Sequence, residues 1–229
     1  MVRRSRMTFR LERERTQRFG GPIAGVDEAG RGPWAGPVVA AAVVLDPDNI
    51  PEGIADSKTL SAAARERLYR DITVSAQVGI AIADADRIDR DNILEATLWA
   101  MAAAVSQLPT APSLTLVDGN RCPPLAGAAE VIIRGDAICL SIAAASIIAK
   151  VTRDRLMCAF AQSWPAYGFE RHKGYGTRAH AEALARYGVT PLHRRSFKPV
   201  RTLLAGGGIA AADVAELAPA DRDEAGPPA

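Results

Sequence analysis

The chain has 229 residues, of which 48% are hydrophobic and 24% charged, with a formal net charge of +2; these are the proportions of a globular protein with a sizeable core. Its longest apolar stretches, 35–45 and 137–149, fall short of the roughly 18 residues that suggest a membrane span, and residues 1–19, rich in arginine and glutamate, lack the apolar core of a secretory signal. Three widely spaced cysteines, Cys122, Cys139 and Cys158, argue against a disulfide framework or a Cys-x-x-Cys zinc site; Cys139 and Cys158, in apolar helical surroundings, read as reduced packing residues of a cytoplasmic protein.

Residues 1–19 read as a helix or an arm. An apolar run at 23–27 reads as a strand, and a second at 36–45 stops at the turn Asp46-Pro47-Asp48. A helix over 61–71 and a strand over 74–83 follow. Ile93, Ala96, Ala100, Ala103 and Ala104 predict an amphipathic helix over 92–108, with Asp89 or Asp91 as its cap and Pro109 and Pro112 beyond its end. Short strands at 114–117 and 130–133 run into Asp118-Gly119-Asn120 and Arg134-Gly135-Asp136. The helix predicted over 139–162 is apolar on nearly every face in its first half, which places that half in the core. Past Trp164-Pro165 come helices at 177–187, ended by Gly188, and 199–204. Three early strands followed by alternating strands and helices predict an α/β fold, a mixed sheet with helices packed on it. The expected divisions are an N-terminal arm (1–19), the sheet domain (20–165), a basic helical segment (166–205) and a disordered acidic tail (206–229).

Charge is unevenly distributed. Residues 171–201 hold eight basic residues against Glu182 alone, with Tyr175, Tyr187 and Phe197 among them. This is either the footprint of a nucleic-acid surface or a solvated basic face. The tail from residue 209 holds five acids against Arg222.

The most informative stretch is Gly25-Val26-Asp27-Glu28-Ala29-Gly30-Arg31-Gly32-Pro33. Carboxylates at the end of a strand suit a hard divalent cation, and a glycine loop lets backbone amides approach a phosphate or sugar. Asp118 ends another predicted strand and Asp136 closely follows a third. Parallel neighbours would bring these acids to one sheet edge, where open α/β sheets place their sites. Four acids there would repel one another unless a cation neutralised them, and paired divalent ions serve this purpose in phosphoryl transfer. Adjacent strand residues point to opposite faces, so Asp27 and Glu28 share a site only if the strand bends, and Gly30 offers a place for that. Simpler readings stand beside these: Asp118-Gly119 is a common turn pair, Asp136 could cap the long helix, and Glu28 could be a surface residue.

Six blocks taken together resemble ribonuclease HII. They are Gly25 to Pro33; Asp56-Ser57-Lys58 with Leu60-Ser61; Val117-Asp118-Gly119; Gly135-Asp136; Ser141 to Val151 with Arg153-Asp154; and His172-Lys173-Gly174-Tyr175-Gly176-Thr177. The resemblance spans about residues 22–200 and implies a ribonuclease H-like five-stranded mixed sheet flanked by helices, with a small helical C-terminal segment. It implies a monomeric endonuclease, with no membrane partner, that uses two Mg2+ or Mn2+ ions. The implied substrates are the RNA strand of RNA–DNA hybrids and single ribonucleotides embedded in duplex DNA, incised on the 5′ side to leave 3′-hydroxyl and 5′-phosphate ends. By motif match Asp27, Glu28, Asp118 and Asp136 are the catalytic, metal-binding acids. Gly30, Arg31 and Gly32 would read the ribose 2′-hydroxyl, and Tyr175 would pack on the adjoining sugar. Lys58 is either a phosphate contact or a surface lysine, Ser146 and Lys150 either support the site or pack, and His172 reads as a loop residue that could touch phosphate.

A dinucleotide fingerprint, Gly30-x-Gly32-x-x-x-Gly36, is opposed by the acids just before it, which would repel a pyrophosphate, and by Pro33 and Pro37 in the would-be helix. A non-catalytic nucleic-acid binder and a resolvase on the same fold are separated from the ribonuclease reading by their dependence on the acids and by substrate.

Overall fold

A strand buried along its whole length must be covered on both faces, and all eight residues of the apolar run 38–45 are buried. The computed structural model describes residues 7–214. In chain order its elements are α1 (Arg10–Phe19), β1 (Ile23–Ala29), β2 (Val38–Leu45), α2 (Ala62–Ser75), β3 (Ala76–Ala83), α3 (Ala85–Ser106), β4 (Leu114–Asp118), β5 (Ala129–Ile132), α4 (Leu140–Ser163), α5 (Phe169–His172), α6 (Arg178–Tyr187) and α7 (Lys198–Leu204). Short 3-10 turns stand at Ser57–Thr59, Gly135–Ala137, Pro165–Tyr167 and Ala211–Asp213. The described chain gathers into two compact units: one holds the described part of 1–29 with Val39–Ala81 and Leu98–Val151, the other Gly30–Val38, Ile82–Thr97 and the described residues from Thr152 onward. This grouping cuts across the linear segments 20–165 and 166–205.

The sheet has the order β3-β2-β1-β4-β5. β1 is antiparallel to β2, from Gly25↔Val43 to Ala29↔Val39, and parallel to β4, from Ile23↔Leu114 to Val26↔Val117. β4 and β5 are parallel, so the mixed five-stranded sheet flanked by helices is present as expected. The apolar first half of α4 covers one face of β2: Ala144, Ile147, Ile148 and Val151 pack with Ala41, Val43 and Leu45 of β2 and with Leu68 and Ile72 of α2. A fully buried Ile or Leu contributes about 1.5–3 kcal/mol. At Gly25 an added Cβ would lie 2.1 Å from the Ser141 carbonyl carbon, so the missing side chain lets α4 start directly against β1. α1 is anchored by a buried acid: Glu12 Oε1 accepts from Ser141 N at 2.8 Å, Ser141 Oγ at 3.0 Å and Cys139 Sγ at 3.2 Å.

In the second unit, Trp34, Met157, Tyr167, Phe169, Leu184 and Val200 form the core. Thr177 caps α6, its Oγ1 accepting from His180 N, and Gly188 ends it at φ 77°. The helix predicted over 92–108 is the second stretch of α3, which begins at Ala85 and is broken at Asn92 (φ 66°). Three other sequence expectations need correction. Asn92, not Asp89 or Asp91, caps the second stretch, its Oδ1 accepting from Leu94 N at 2.9 Å and Glu95 N at 3.1 Å. Cys158 is exposed rather than packed. His172 is buried, not a loop residue open to phosphate. Of the expected tail, 206–214 are described, with a 3-10 turn whose Asp213 pairs with Lys198 Nζ at 3.2 Å; 215–229 lie outside the described residues, as do 1–6 of the arm.

All three histidines of the chain meet in this core. His172 and His180 stack at 4.6 Å, and His180 lies 5.2 Å from His193. Burial pushes His180 down to about 3 and His193 down to about 4, and His172 is also lowered by burial. An unfolded histidine takes up its proton near pH 6.5. Below that value the unfolded chain binds protons that the folded chain refuses, so stability is lost as pH falls from 6.5 toward 4. Chemical denaturation at pH 7.5 and 5.0 is expected to show this loss, and His193→Gln should reduce it by about 2 kcal/mol.

Candidate active site

The register of β1 and β4 sets the site. Val26 and Val117 are the last paired residues, so the next residues along these parallel strands, Asp27 within β1 and Asp118 at the end of β4, lie side by side where the β1–β4 pairing stops. Asp118 in turn pairs with Ile132, the last residue of β5. Beyond β5, Arg134 adopts a left-handed conformation (φ 59°) and turns the chain into the 3-10 segment Gly135–Ala137, which presents Asp136. Gly135 N donates to Asp118 Oδ1 at 2.6 Å. A Cβ at Gly135 would come within 2.5 Å of Ile142 Cδ1 and 3.3 Å of that carboxylate oxygen, so a side chain there would displace the Ile142 terminal methyl and crowd Asp118.

The electrostatics show how crowded these acids are. Asp27 is 5% exposed, and its Oδ1 accepts from Glu28 N at 2.7 Å. Burial holds its carboxyl well above the usual carboxylate range, and the charges of Glu28, Asp118 and Asp136 push it further in the same direction. Asp118 is also raised, first by burial and then by Asp136, against the opposing hydrogen bond from Gly135. Lys58 stands in the 3-10 turn Ser57–Thr59, where Asp56 Oδ1 accepts its backbone N–H at 2.9 Å. Its Nζ lies 3.2 Å from Asp136 Oδ2. Burial lowers this ammonium, but Asp136, Asp56 and Asp27 outweigh burial and leave it raised. The bend considered for Asp27 and Glu28 does not lie between them: the β1–β2 ladder is unbroken through Ala29, and the positive φ (96°) comes only at Gly30. Even so, Glu28's charge is the strongest of the like charges acting on Asp27.

The other sequence-predicted residues fall in different places. Ser146 is buried and its Oγ donates to Ala143 O at 2.8 Å, a local helix contact. Lys150 is partly buried on α4. Gly30, Arg31, Gly32 and Tyr175 belong to the second unit. There a Cβ on Gly32 would meet only Tyr175 Cε1, at 3.8 Å, whereas one on Gly30 would lie 2.0 Å from Arg153 Nε and 2.7 Å from Pro37 O. Gly30 is therefore demanded by the protein's own interior, whereas nothing within the protein opposes a Cβ at Gly32. Of the eight basic residues in 171–201, Lys173 and Arg194 are buried. Sequence reading also passed over Arg153 and Arg194 as individuals: an arginine bonded to internal carbonyls looks the same in sequence as one in solvent.

The sequence profile of the family described as ribonuclease HII matches residues 24–200. The chain belongs to the ribonuclease HII family. It is 60% identical over 193 residues to the ribonuclease HII of Nitrobacter hamburgensis, covering 84% of this chain and 72% of that one. With the ribonuclease HII of Bradyrhizobium diazoefficiens it shares 60% identity over 193 residues, with coverages of 84% and 74%. The crystal structure of ribonuclease H2 from Pyrococcus horikoshii superposes with a TM-score of 0.69 at 29% identity, covering 81% of this chain and 98% of that one. Ribonuclease HII is a ribonuclease H enzyme family, and the chain is an endoribonuclease of that class.

Among the described residues no three His, Cys, Asp or Glu side chains close into a ready-made coordination shell. That openness does not oppose Mg2+ or Mn2+. Mg2+ keeps several waters and is held by one or two carboxylates together with substrate phosphates, not by an all-protein cage. A buried carboxyl raised by three like charges is a donor set short of positive charge, which a divalent cation would supply. In metal-free buffer, Asp27→Asn keeps the acceptor for Glu28 N and removes the central charge. It is expected to raise the melting temperature by about 2–6 °C; an unchanged or lower value in thermal denaturation would contradict the repulsion described above.

Proposed function

We propose that this endoribonuclease hydrolyses the RNA strand of RNA–DNA hybrids and cuts on the 5′ side of single ribonucleotides embedded in duplex DNA, leaving a 3′-hydroxyl and a 5′-phosphate. The observation that carries the proposal is the gathering of Asp118 and Asp136 about the buried carboxyl of Asp27, on which the charge of Glu28 also acts. Asp27, Glu28, Asp118 and Asp136 would hold two divalent cations, Mg2+ or Mn2+. Such ions ease ionisation of an attacking water and offset charge on a leaving oxygen. The chain's own part is to orient these carboxylates, Asp118 through the Gly135 N–H and Asp136 through Lys58. Lys58, with its side chain 80% exposed, would also meet a substrate phosphate.

Only the 2′-hydroxyl distinguishes RNA from DNA at a given position. Gly32 is exposed, and the space around it would accept a Cβ. Internal packing therefore gives no reason for glycine there, while close approach of a ribose does. In this reading Gly30, Arg31 and Gly32 contact the 2′-hydroxyl, and Tyr175, whose ring lies beside Gly32, packs on the adjoining sugar. Exposed Arg171, Arg178, Arg186, Arg195, Lys198 and Arg201 would contribute phosphate attraction. We further infer a monomer working in the cytoplasm. No helix among the described residues is long and apolar enough to cross a membrane, and Cys122, Cys139 and Cys158 are free.

A duplex with one embedded ribonucleotide, its all-DNA counterpart and a long hybrid test the proposal together. Wild type should cut the first at the ribonucleotide, spare the second and degrade the RNA of the third. Asp136→Asn should abolish cleavage and keep duplex binding, and Tyr175→Ala should impair single-ribonucleotide incision more than hybrid cleavage. Gly32→Ala should melt like wild type and lose incision, whereas Gly30→Ala should lose about 1–3 kcal/mol of stability. Cleavage surviving in Asp136→Asn would overturn the metal assignment, and cutting of the all-DNA duplex or of a DNA junction would favour a resolvase.

A further inference from the structure

The segment Leu192–Arg194 lies along Trp34–Gly36 like a short strand. Gly36 N donates to Leu192 O at 2.9 Å, Arg194 N donates to Trp34 O at 2.9 Å, and Ala35 and His193 form an isolated antiparallel bridge. Two consecutive side chains of this segment then reach in different directions.

Arg194 is fully buried. Its Nη2 donates to Gly30 O, its Nη1 to Arg31 O at 2.8 Å and its Nε to Gly36 O at 3.0 Å. One guanidinium thus pins three carbonyls of a single loop, using the fixed fork that distinguishes arginine from lysine. Because a trans peptide places its N–H opposite its carbonyl, turning the Gly30 and Arg31 carbonyls toward Arg194 turns the amides of Arg31 and Gly32 away from it. Both of those residues are exposed. Their outward amides are the donors that a ribose hydroxyl or its phosphate would meet.

His193 acts on Tyr175. Its Nδ1 accepts from Thr190 N at 2.9 Å, and a backbone N–H can only donate, so the proton of the neutral ring sits on Nε2. Nε2 lies 3.0 Å from His180 Nε2, which must then accept. The proton of His180 is left on Nδ1 and is donated to Tyr175 O at 2.9 Å. A one-directional chain therefore runs from Thr190 N–H through two imidazoles to the backbone of Tyr175. The start of the next segment is fixed as well: Asp89 accepts from Arg195 N at 2.8 Å, Ser196 N at 2.9 Å and Ser196 Oγ at 2.6 Å.

We propose that His193 and Arg194 are positioning residues for ribose recognition, with Arg194 orienting the amides of the Gly30–Gly32 loop and His193, through His180, setting Tyr175. This rests on the reading of Gly30–Gly32 and Tyr175 as the elements that contact the ribose. Neither residue touches substrate in this account. Their effect is on the selectivity of the site rather than on its general affinity for nucleic acid.

The test uses full-length protein in the Asp136→Asn background, so that binding is measured without cleavage. The readout is the ratio of affinities for a duplex with one ribonucleotide and an all-DNA duplex of the same sequence. Arg194→Lys keeps the charge but not the fork, and it should lower this ratio about tenfold, a single hydrogen bond's worth or more, while leaving the all-DNA affinity within about twofold. His193→Asn, which cannot reach His180, should lower the ratio in the same way. His193→Gln, whose amide can donate at the Nε2 position, should restore it. A role confined to folding would move both affinities together and would not separate Asn from Gln at 193. Gly32→Ala and Tyr175→Ala serve as references. If they lose the preference while natively melting Arg194→Lys and His193→Asn keep it, the positioning role is wrong. If the references keep it too, the ribose-contact reading fails, and the inference falls with it. Should Arg194→Lys not fold, the His193 pair decides the matter.

Discussion

Like charges held together in a poorly solvated place are the constraint on which this structure turns. Asp27 is nearly buried, and burial, Glu28, Asp118 and Asp136 all act to raise its carboxyl. The fold accepts this because the backbone has little freedom there. The parallel register of β1 and β4 sets Asp27 beside Asp118, and the Gly135 turn brings in Asp136. Such an arrangement weakens the empty protein and suits one that binds divalent cations and phosphate, where the repulsion becomes affinity. The rest of the first unit serves that placement, above all the apolar half of α4 packed on the sheet and the side-chain-free contact at Gly25.

The second unit solves a different problem, that of holding a short loop rigid without a strand or helix of its own. Residues 30–37 are fixed by side chains from elsewhere in the unit: Arg153 donates to Pro37 O and Ala35 O, and Arg194 to Gly30, Arg31 and Gly36. Burying two guanidiniums is expensive unless their donors are satisfied, and here five hydrogen bonds to loop carbonyls help satisfy them. A loop held this way keeps its amide directions, which is what the proposed discrimination of one hydroxyl would require.

Much of this was legible in the sequence because the signals were local. The apolar runs at 23–27, 36–45 and 114–117 became strands, and the all-round apolar start of the long helix announced its burial. The four acids stood out because three follow strand-like runs, and the six ordered blocks pointed to the family. What was missed depends on partners distant in sequence. Asp89 looked like a helix cap but bonds the backbone of Arg195 and Ser196, more than 100 residues away. Asn92 took the cap because asparagine tolerates a positive φ and its side chain bonds the amides two and three residues on. His172 read as a loop residue within reach of phosphate, yet it packs in a histidine stack assembled from separate segments. Gly30 and Gly32 look equivalent in the motif, and only the surroundings of a would-be Cβ separate the internal requirement of one from the outward openness of the other.

The central claim is that the acids around Asp27 are held against their own repulsion in order to bind divalent cations. Mn2+ uptake by the full-length protein without nucleic acid, followed through the loss of the free-ion paramagnetic resonance signal, tests it most directly. Wild type is expected to take up Mn2+, and Asp27→Asn, though folded, to lose most of that uptake. Equal uptake by the two proteins, or none by wild type at millimolar Mn2+ where weak sites of about 1 mM would fill, would contradict the account.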